Sequence, residues 1–124
     1  MKFKEYFKKM TDALISVDEG ALDKAVDMLR QVASSKGKII LVGNGASAAI
    51  ASHVAVDLTK ASGIRAVNFN EADLITCFAN DYGYEHWVEK ALDFYADSKD
   101  LLILISSSGM SSNIINAALK AREM

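Results

Sequence analysis

Hydrophobic residues recur every three or four positions through the first third of the chain. In the first stretch they share one helical face, opposite lysines at positions 2, 4, 8 and 9: Phe3, Tyr6, Phe7, Met10, Leu14 and Val17. A second stretch has the same spacing and ends before Gly37: Leu22, Ala25, Val26, Leu29 and Val32. The pattern predicts two amphipathic helices, so we expect residues 1–36 to form a helical extension whose apolar faces need a surface to pack on.

Three short apolar runs follow, at residues 38–42, 65–69 and 101–105. Runs of this length without polar alternation are typical of strands that a parallel sheet buries on both faces. Helical patterns separate and follow them, over residues 47–61, 70–78, 84–95 and 112–123. The alternation of strand and helix predicts an α/β domain over residues 37–124, with a parallel sheet between two layers of helices.

Only three strands can be identified in the sequence, whereas a doubly wound sheet usually has five or six. The third strand would be left with an apolar edge unless something covers it. We therefore expect one of two arrangements. Either the domain is truncated after the third strand and its following helix and naturally continues beyond Met124, or contacts between copies of the chain cover that edge.

The composition narrows the classes of partner. Of the 124 residues, 51% are hydrophobic and 24% charged, and the net charge of −2 provides no basic footprint for nucleic acid or an anionic membrane surface. The N-terminus lacks the apolar core of a signal peptide, and no apolar run approaches the roughly 18 residues of a membrane-spanning helix. We expect a cytoplasmic protein with no membrane partner and no direct nucleic-acid contact. The single cysteine, Cys77, cannot form an internal disulfide, and we expect it to lie in the core.

Two junctions between a strand and the following helix are rich in hydrogen-bond donors. Residues 43–48 read Gly-Asn-Gly-Ala-Ser-Ala, and residues 105–113 read Ile-Ser-Ser-Ser-Gly-Met-Ser-Ser-Asn. Each offers backbone N–H groups, hydroxyls and the positive end of a helix dipole to an anion. Taken alone, the second junction is also explained as a serine-rich turn in which Ser111 caps a helix. Ligands bind outside the carboxyl ends of such strands, where the first and third strands of the flavodoxin-like order are neighbours, so we expect both junctions to face one crevice.

The first junction also fits the G-x-G-x-x-A pattern of dinucleotide-binding sites. That pattern calls for an acidic residue at the end of the second strand, where the chain has Asn68, Asn70 and then Glu71, one or two residues late. The pattern also gives no reason for Ser47 or for the serines after the third strand. Two donor-rich loops around one point suit a phosphomonoester on a small molecule better than a pyrophosphate, so we expect no nucleotide cofactor.

Four motifs, taken in order, resemble the sugar isomerase (SIS) domain, and within it the phosphoheptose isomerase branch. They are residues 43–47, His53, residues 80–83 (Asn-Asp-Tyr-Gly) and residues 105–113, and the resemblance covers essentially the whole chain. It implies a three-layer α/β/α fold with a flavodoxin-like parallel sheet. It also implies a homotetramer with the helical extension at its centre, and binding of sedoheptulose 7-phosphate or a similar phosphosugar.

The resemblance also assigns roles to residues that match the family's motifs. It implies that the phosphate contacts four serines: Ser106, Ser107, Ser108 and Ser111. It implies that the sugar contacts Asn44, Ser47 and Asp81.

His53 and Asp57 lie four residues apart on the predicted helix behind the first junction, so they share one face. A local Asp–His pair on a partly solvated face accounts for this spacing without any ligand. In the branch that the chain resembles, the histidine and a glutamate four residues later bind zinc, and the glutamate is placed for proton transfer. The resemblance thus implies zinc as a cofactor at His53 and Asp57, and Asp57 as the catalytic group, one methylene shorter than the family's glutamate.

Aldose–ketose isomerisation moves a proton between neighbouring carbons through an enediol, and it needs a base, an acid and stabilisation of the oxyanion. In the family, a glutamine and a histidine from a later helix complete this set, and this chain ends before such a helix. We expect the other histidine, His86, to lie at the surface on the polar side of its helix. Two functions stay open. One is an isomerase that converts sedoheptulose 7-phosphate to a heptose 7-phosphate; the other is a non-catalytic SIS module that binds a phosphosugar as a regulatory ligand, or a protein of the replication-initiator type.

Overall fold

The computed structural model describes residues 2–124 as six helices and three strands. In chain order they are α1 (Phe3–Ile15), α2 (Glu19–Ser34), β1 (Ile39–Gly43), α3 (Ala46–Ser62), β2 (Ala66–Asn68), α4 (Ala72–Tyr82), α5 (Trp87–Tyr95), β3 (Leu101–Ile105) and α6 (Ser112–Glu123). The predicted alternation of strand and helix is confirmed. None of the described helices is both long and apolar enough to cross a membrane.

The three strands form one parallel sheet in the order β2-β1-β3. In this register Ile39 of β1 lies beside Ala66 on one side and Leu101 on the other. Every residue of β1 is buried, because β1 has a strand on each side and helices on both faces. The residues of β3 are half-buried. Because β1 and β3 are parallel neighbours, their carboxyl ends meet at one edge of the sheet, where Gly43 lies beside Ile105.

Alternate side chains of β1 enter two separate cores. Ile40 and Val42 pack with Trp87 and Leu92 of α5 and with residues of α6. Ile39 and Leu41 pack with residues of α2 and α3 on the opposite face. The two cores make a three-layer α/β/α arrangement, which confirms the predicted fold class.

The helical extension differs from the rest in its packing. None of the described residues of α1 is buried, and its apolar face is exposed from 47% at Met10 to 82% at Phe3. In α2, by contrast, Val32 belongs to the core beneath β1. The expectation that the apolar face of α1 packs on another surface stays a prediction.

The segment between β2 and α5 departs from the sequence prediction. The sequence predicted a helix over residues 70–78, but α4 continues through residues 80–82 and ends at Gly83, whose φ is 89°. The helix starts after Glu71, whose carboxylate accepts from the N–H of Leu74 at 3.0 Å. The predicted core position of Cys77 is wrong, because the inward face of α4 consists of Leu74, Ile75, Phe78 and Ala79, and Cys77 is exposed.

Candidate functional site

The loop after β1 has a backbone that only glycine allows. A Cβ on Gly43 would lie 2.5 Å from the carbonyl carbon and oxygen of Ser47, so α3 approaches the strand too closely for any side chain. Gly45, the N-cap of α3, has a φ of 55°. The N–H of Ser47 then donates to the carbonyl oxygen of Asn44 at 3.0 Å, which begins the first turn of the helix. The first N–H groups of α3 thus open towards the carboxyl edge of the sheet.

Two asparagines at the end of β2 hold this loop. The side chain of Asn70 accepts from the N–H of Gly43 at 3.0 Å and donates to its carbonyl oxygen at 2.7 Å. Asn68 accepts from the N–H of Asn70 at 2.6 Å and donates to the hydroxyl of Ser52 at 2.7 Å. From the sequence, both asparagines stood where dinucleotide-binding sites have an acid, and Asn70 was expected to start a helix. The helix instead starts after Glu71, and the bracing of the first loop by Asn68 and Asn70 was not predicted.

Glu71, the acid considered for a dinucleotide ribose, is already engaged as the N-cap of α4. The hydrogen bond from the N–H of Leu74 is the main cause that lowers the pKa of the Glu71 carboxyl below its usual value. A carboxylate at a helix N-terminus is favoured by the free N–H groups and by the helix dipole. The capping of α4 therefore explains the acidic residue at position 71 without a dinucleotide.

Two hydroxyls of the serine loop after β3 accept hydrogen bonds from the loop's own backbone. Ser106 accepts from the N–H of Gly109 at 3.1 Å, and Ser108 accepts from the N–H of Met110 at 3.1 Å. Each hydroxyl uses an acceptor position in these turns and keeps its own hydrogen to donate. Ser111 is the N-cap of α6, yet its side chain makes no capping hydrogen bond. The alternative interpretation, in which Ser111 caps the helix with its side chain, is therefore not supported by the structure.

A direct contact brings the two loops together. The side-chain amides of Asn44 and Asn113 exchange two hydrogen bonds, each 3.0 Å long. The hydroxyl of Tyr84 donates to the Asn44 oxygen, also at 3.0 Å. Asn113 is 2% exposed and is the buried polar residue of the described core. The sequence predicted a helix over residues 84–95, but Tyr84 lies before α5 and contacts the first loop.

Asp81 lies three residues before Tyr84 in the chain. It occupies the last turn of α4, is exposed, and accepts from the side-chain amide of Asn80 at 3.0 Å. Within residues 2–124, no hydrogen bond joins Asp81 to either loop. Its predicted contact with the sugar stays a prediction, as do those of Asn44 and Ser47. The predicted contacts of the phosphate with Ser106, Ser107, Ser108 and Ser111 also stay predictions.

His53 and Asp57 form the expected pair on α3. The Nε2 of His53 lies 3.5 Å from Oδ2 of Asp57, and the two side chains are 79% and 64% exposed. Among the described residues, no group of three His, Cys, Asp or Glu side chains could hold a metal ion. Zinc in proteins is almost always held by three or four protein ligands, so this pair alone does not fit a zinc site.

His86 differs from its prediction. It is the N-cap of α5 rather than a residue on the polar side of the helix, and it is half-buried. Its Nδ1 lies 2.7 Å from Oε1 of Glu89. This contact orients the ring against its own helix.

The sequence profile of the SIS domain matches residues 2–124. The chain belongs to the SIS domain family. Its relatives include the phosphoheptose isomerase of Helicobacter pylori strain P12. It is 34% identical over an alignment of 127 positions, gaps included, which covers 98% of this chain and 64% of the relative. The phosphoheptose isomerase of Helicobacter hepaticus is 36% identical over 110 residues, 84% of this chain and 56% of the relative. This SIS chain thus spans less than two thirds of the length of either relative.

Solved structures give the same result for the fold. Phosphoheptose isomerase GmhA from Neisseria gonorrhoeae matches with a TM-score of 0.85 and 32% identity, over 98% of this chain and 66% of that one. A phosphoheptose isomerase from Francisella tularensis matches with a TM-score of 0.87 and 25% identity, over 98% of this chain and 68% of that one. The SIS fold and the resemblance to phosphoheptose isomerases, both predicted from the motifs, are confirmed.

Proposed function

We propose that this SIS chain binds a phosphorylated sugar at the carboxyl edge of its sheet, as part of a phosphosugar isomerase. The observation that carries the proposal is the contact between Asn44 and Asn113, which joins two donor-rich loops from different strands. The names of the relatives support a heptose phosphate as the substrate. The finer form of the proposal is conversion of sedoheptulose 7-phosphate to a heptose 7-phosphate.

The serine loop would take the phosphate. The hydroxyls of Ser106 and Ser108 keep their hydrogens, the Ser111 side chain makes no cap, and α6 begins directly behind them. A phosphate at this point would accept from the hydroxyls, including that of Ser107, and would lie at the positive end of the α6 dipole. The sugar would then extend towards Asn44 and Ser47 of the first loop, with Asp81 on the side of α4.

The isomerisation itself needs a proton carrier between two neighbouring carbons of the open-chain sugar. We propose Asp57 for this role, because it matches by position the family's glutamate and lies on the helix that begins at the first loop. It would take the proton from one carbon and return it to the next while the enediol persists. The shorter side chain of aspartate requires the sugar to come closer to α3 than it would for a glutamate.

A ligand screen tests the proposed function. The thermal unfolding of the chain would be followed with phosphorylated pentoses, hexoses and heptoses, each paired with the same sugar lacking phosphate. We expect sedoheptulose 7-phosphate to raise the melting temperature and sedoheptulose to leave it unchanged. An isomerase assay on each stabilising sugar then follows. Failure of every phosphosugar to stabilise the chain would overturn the proposal.

The exposed pair His53–Asp57, which has no third metal-ligating side chain beside it among the described residues, favours a second candidate function. The chain would then be a non-catalytic SIS module that takes a phosphosugar as a regulatory ligand, or a protein partner. The same experiment separates the two, because a regulatory module would bind the sugar and give no turnover in the isomerase assay.

Zinc is proposed only for an assembly that adds ligands to His53 and Asp57. When it is bound, zinc would polarise an oxygen of the sugar as a Lewis acid. We expect metal analysis of the purified chain alone to find well under one zinc per chain. One zinc per chain, lost in His53→Ala, would contradict this expectation.

We also propose that the apolar face of α1 packs against other copies of the chain in a homo-oligomer, with a tetramer as the expected size. An isolated helix of this length is marginal in water, and its apolar face is largely exposed. Sedimentation should show a species larger than a monomer, and Phe7→Glu with Met10→Glu should reduce its size. A monomeric wild-type chain would overturn this part.

A further inference from the structure

The Asn44 side chain is held from two directions. The Nδ2 of Asn44 donates to Oδ1 of Asn113 at 3.0 Å, and the Nδ2 of Asn113 donates back to Oδ1 of Asn44 at 3.0 Å. The hydroxyl of Tyr84 donates to the same Asn44 oxygen at 3.0 Å. The amide of the first loop is thus fixed both by α6 and by the segment that precedes α5.

These hydrogen bonds determine the orientation of the amide. If Asn44 alone turned by 180° about χ2, its NH₂ group would meet the NH₂ group of Asn113, and both bonds between the amides would be lost. If both amides turned together, their mutual bonds would re-form, and Tyr84 would have to accept from the NH₂ group of Asn44 through its phenolic oxygen instead of donating. The lone pair of a phenolic oxygen is partly delocalised into the ring, so a phenol donates a hydrogen bond better than it accepts one. The tyrosine therefore favours the observed arrangement over the turned one, which the asparagine pair alone would leave equivalent.

In the observed orientation Asn44 keeps one donor for a ligand. Its oxygen already accepts two hydrogen bonds, and its nitrogen uses one of two N–H groups. Within the part of the chain that the structure describes, no acceptor takes the second N–H. An oxygen that meets Asn44 in the crevice must therefore accept a hydrogen bond rather than donate one.

The burial of Asn113 supports a role beyond packing. Its amide is 2% exposed, and both its oxygen and its nitrogen bond to Asn44. Burying an amide is unfavourable unless its groups are hydrogen-bonded, so an apolar residue would fill this position at lower cost if packing were its only role.

We propose that Tyr84 and Asn113 are positioning residues that hold the Asn44 amide with its free N–H available to an accepting oxygen of the sugar, while the serine loop holds the phosphate. The identity of the ligand rests on the proposed function. The orientation of the amide does not, since it follows from contacts within the chain.

Tyr84→Phe tests the proposal, and Tyr95→Phe is its matched control. Both tyrosines are 52% exposed, so neither hydroxyl is needed to fill the core. We expect Tyr84→Phe to weaken binding of sedoheptulose 7-phosphate about fivefold, the worth of one neutral hydrogen bond, and to leave binding of inorganic phosphate unchanged. Tyr95→Phe should change neither. In an Asn44→Ala background Tyr84→Phe should have no further effect, because the tyrosine acts through the asparagine.

Equal weakening of both ligands, or a further loss in the Asn44→Ala background, would overturn the proposal. A second readout needs no ligand: the side-chain NH₂ signals of Asn44 in ¹H–¹⁵N spectra. We expect them to shift and to exchange faster in Tyr84→Phe and to stay unchanged in Tyr95→Phe. If the wild-type chain binds no phosphosugar, the proposed function fails, and the Asn44 side-chain signals alone then test the positioning role of Tyr84. Signals that do not change in Tyr84→Phe would then overturn the positioning role.

Discussion

The two ends of the sheet both tie β1 to β3, and they do so with different chemistry. At the amino ends, the carboxylate of Asp100 accepts from the ammonium of Lys38 and from its backbone N–H, the latter at 2.9 Å. At the carboxyl ends, Asn44 and Asn113 exchange two neutral hydrogen bonds. The charged pair is nearly closed to water, with side chains 13% and 6% exposed. The serines beside the neutral pair are largely exposed.

This difference assigns separate tasks to the two ends. A buried charge that loses its partner is strongly unfavourable, so an ion pair fixes the strands without leaving groups for a ligand. Neutral amides and hydroxyls contribute less to folding and can keep donors unused. We therefore expect the amino end to determine stability and the carboxyl end to determine binding.

Removing Asp100 should have the largest effect. Asp100→Ala deletes the acceptor for the Lys38 ammonium and for the N–H groups of Lys38 and Asp97. We expect the free energy of unfolding, measured in urea, to fall by about 3 kcal/mol. The phosphosugar affinity of the folded fraction should stay unchanged.

Asp97→Ala is the control for this variant, because Asp97 also pairs with Lys38 but is 81% exposed. Its loss should cost about 1 kcal/mol or less. Similar losses from the two variants would show that the burial of Asp100 does not matter.

Removing two serine hydroxyls tests the opposite end. We expect Ser106→Ala with Ser108→Ala to weaken binding of sedoheptulose 7-phosphate by about a hundredfold or more, since hydrogen bonds to a charged group are lost. The free energy of unfolding should change by only about 1 kcal/mol, because the turns are exposed. Ser112→Ala, an exposed serine of the same segment, should bind like the wild type. Unchanged thermal stabilisation by the sugar in the double variant would exclude these serines as the phosphate site.

Acid should weaken the ion pair at the amino end. Burial raises the pKa of the Asp100 carboxyl, but hydrogen bonds from the Lys38 ammonium and from the N–H groups of Asp97 and Lys38 outweigh it, so the pKa lies below its usual 3.8. A carboxyl with a lowered pKa adds stability above its unfolded-state value and loses it as pH falls through the folded value. We expect the free energy of unfolding to decrease below about pH 4, with a smaller slope in Asp100→Asn. If the free energy of unfolding fell with pH equally steeply in Asp100→Asn, Asp100 would not be the source of the acid sensitivity.

The sequence predicted the elements of the fold because their signals are local. Apolar runs and helical spacing lie within 5 to 17 residues, and they located all three strands and the helices around them. The end of α4 was misplaced because Asn80 and Asp81, typical loop residues, are tolerated in a last helical turn when a glycine follows. Cys77 was misplaced because a short helix buries one face only, and the sequence does not fix its rotation.

The candidate site was predictable in its motifs and not in its contacts. Glycines and serines at strand ends indicate anion-binding loops wherever they occur. The contact between Asn44 and Asn113 joins residues 69 positions apart, and that of Tyr84 with Asn44 spans 40. No periodicity encodes such pairs, because they depend on how strands and helices pack together. Tyr84 fitted the helical spacing of the apolar residues in the predicted helix 84–95, so its hydrogen bond to Asn44 was not predicted.

Backbone amide NMR with increasing sedoheptulose 7-phosphate tests most directly whether the carboxyl edge is the binding site. We predict that the amides of residues 44–47 and 106–113 shift together with one dissociation constant, while those of Lys38, Asp97 and Asp100 stay in place. Shifts confined to the amino end, or to only one of the two loops, would contradict a single crevice built by Asn44, Asn113 and the serine loop.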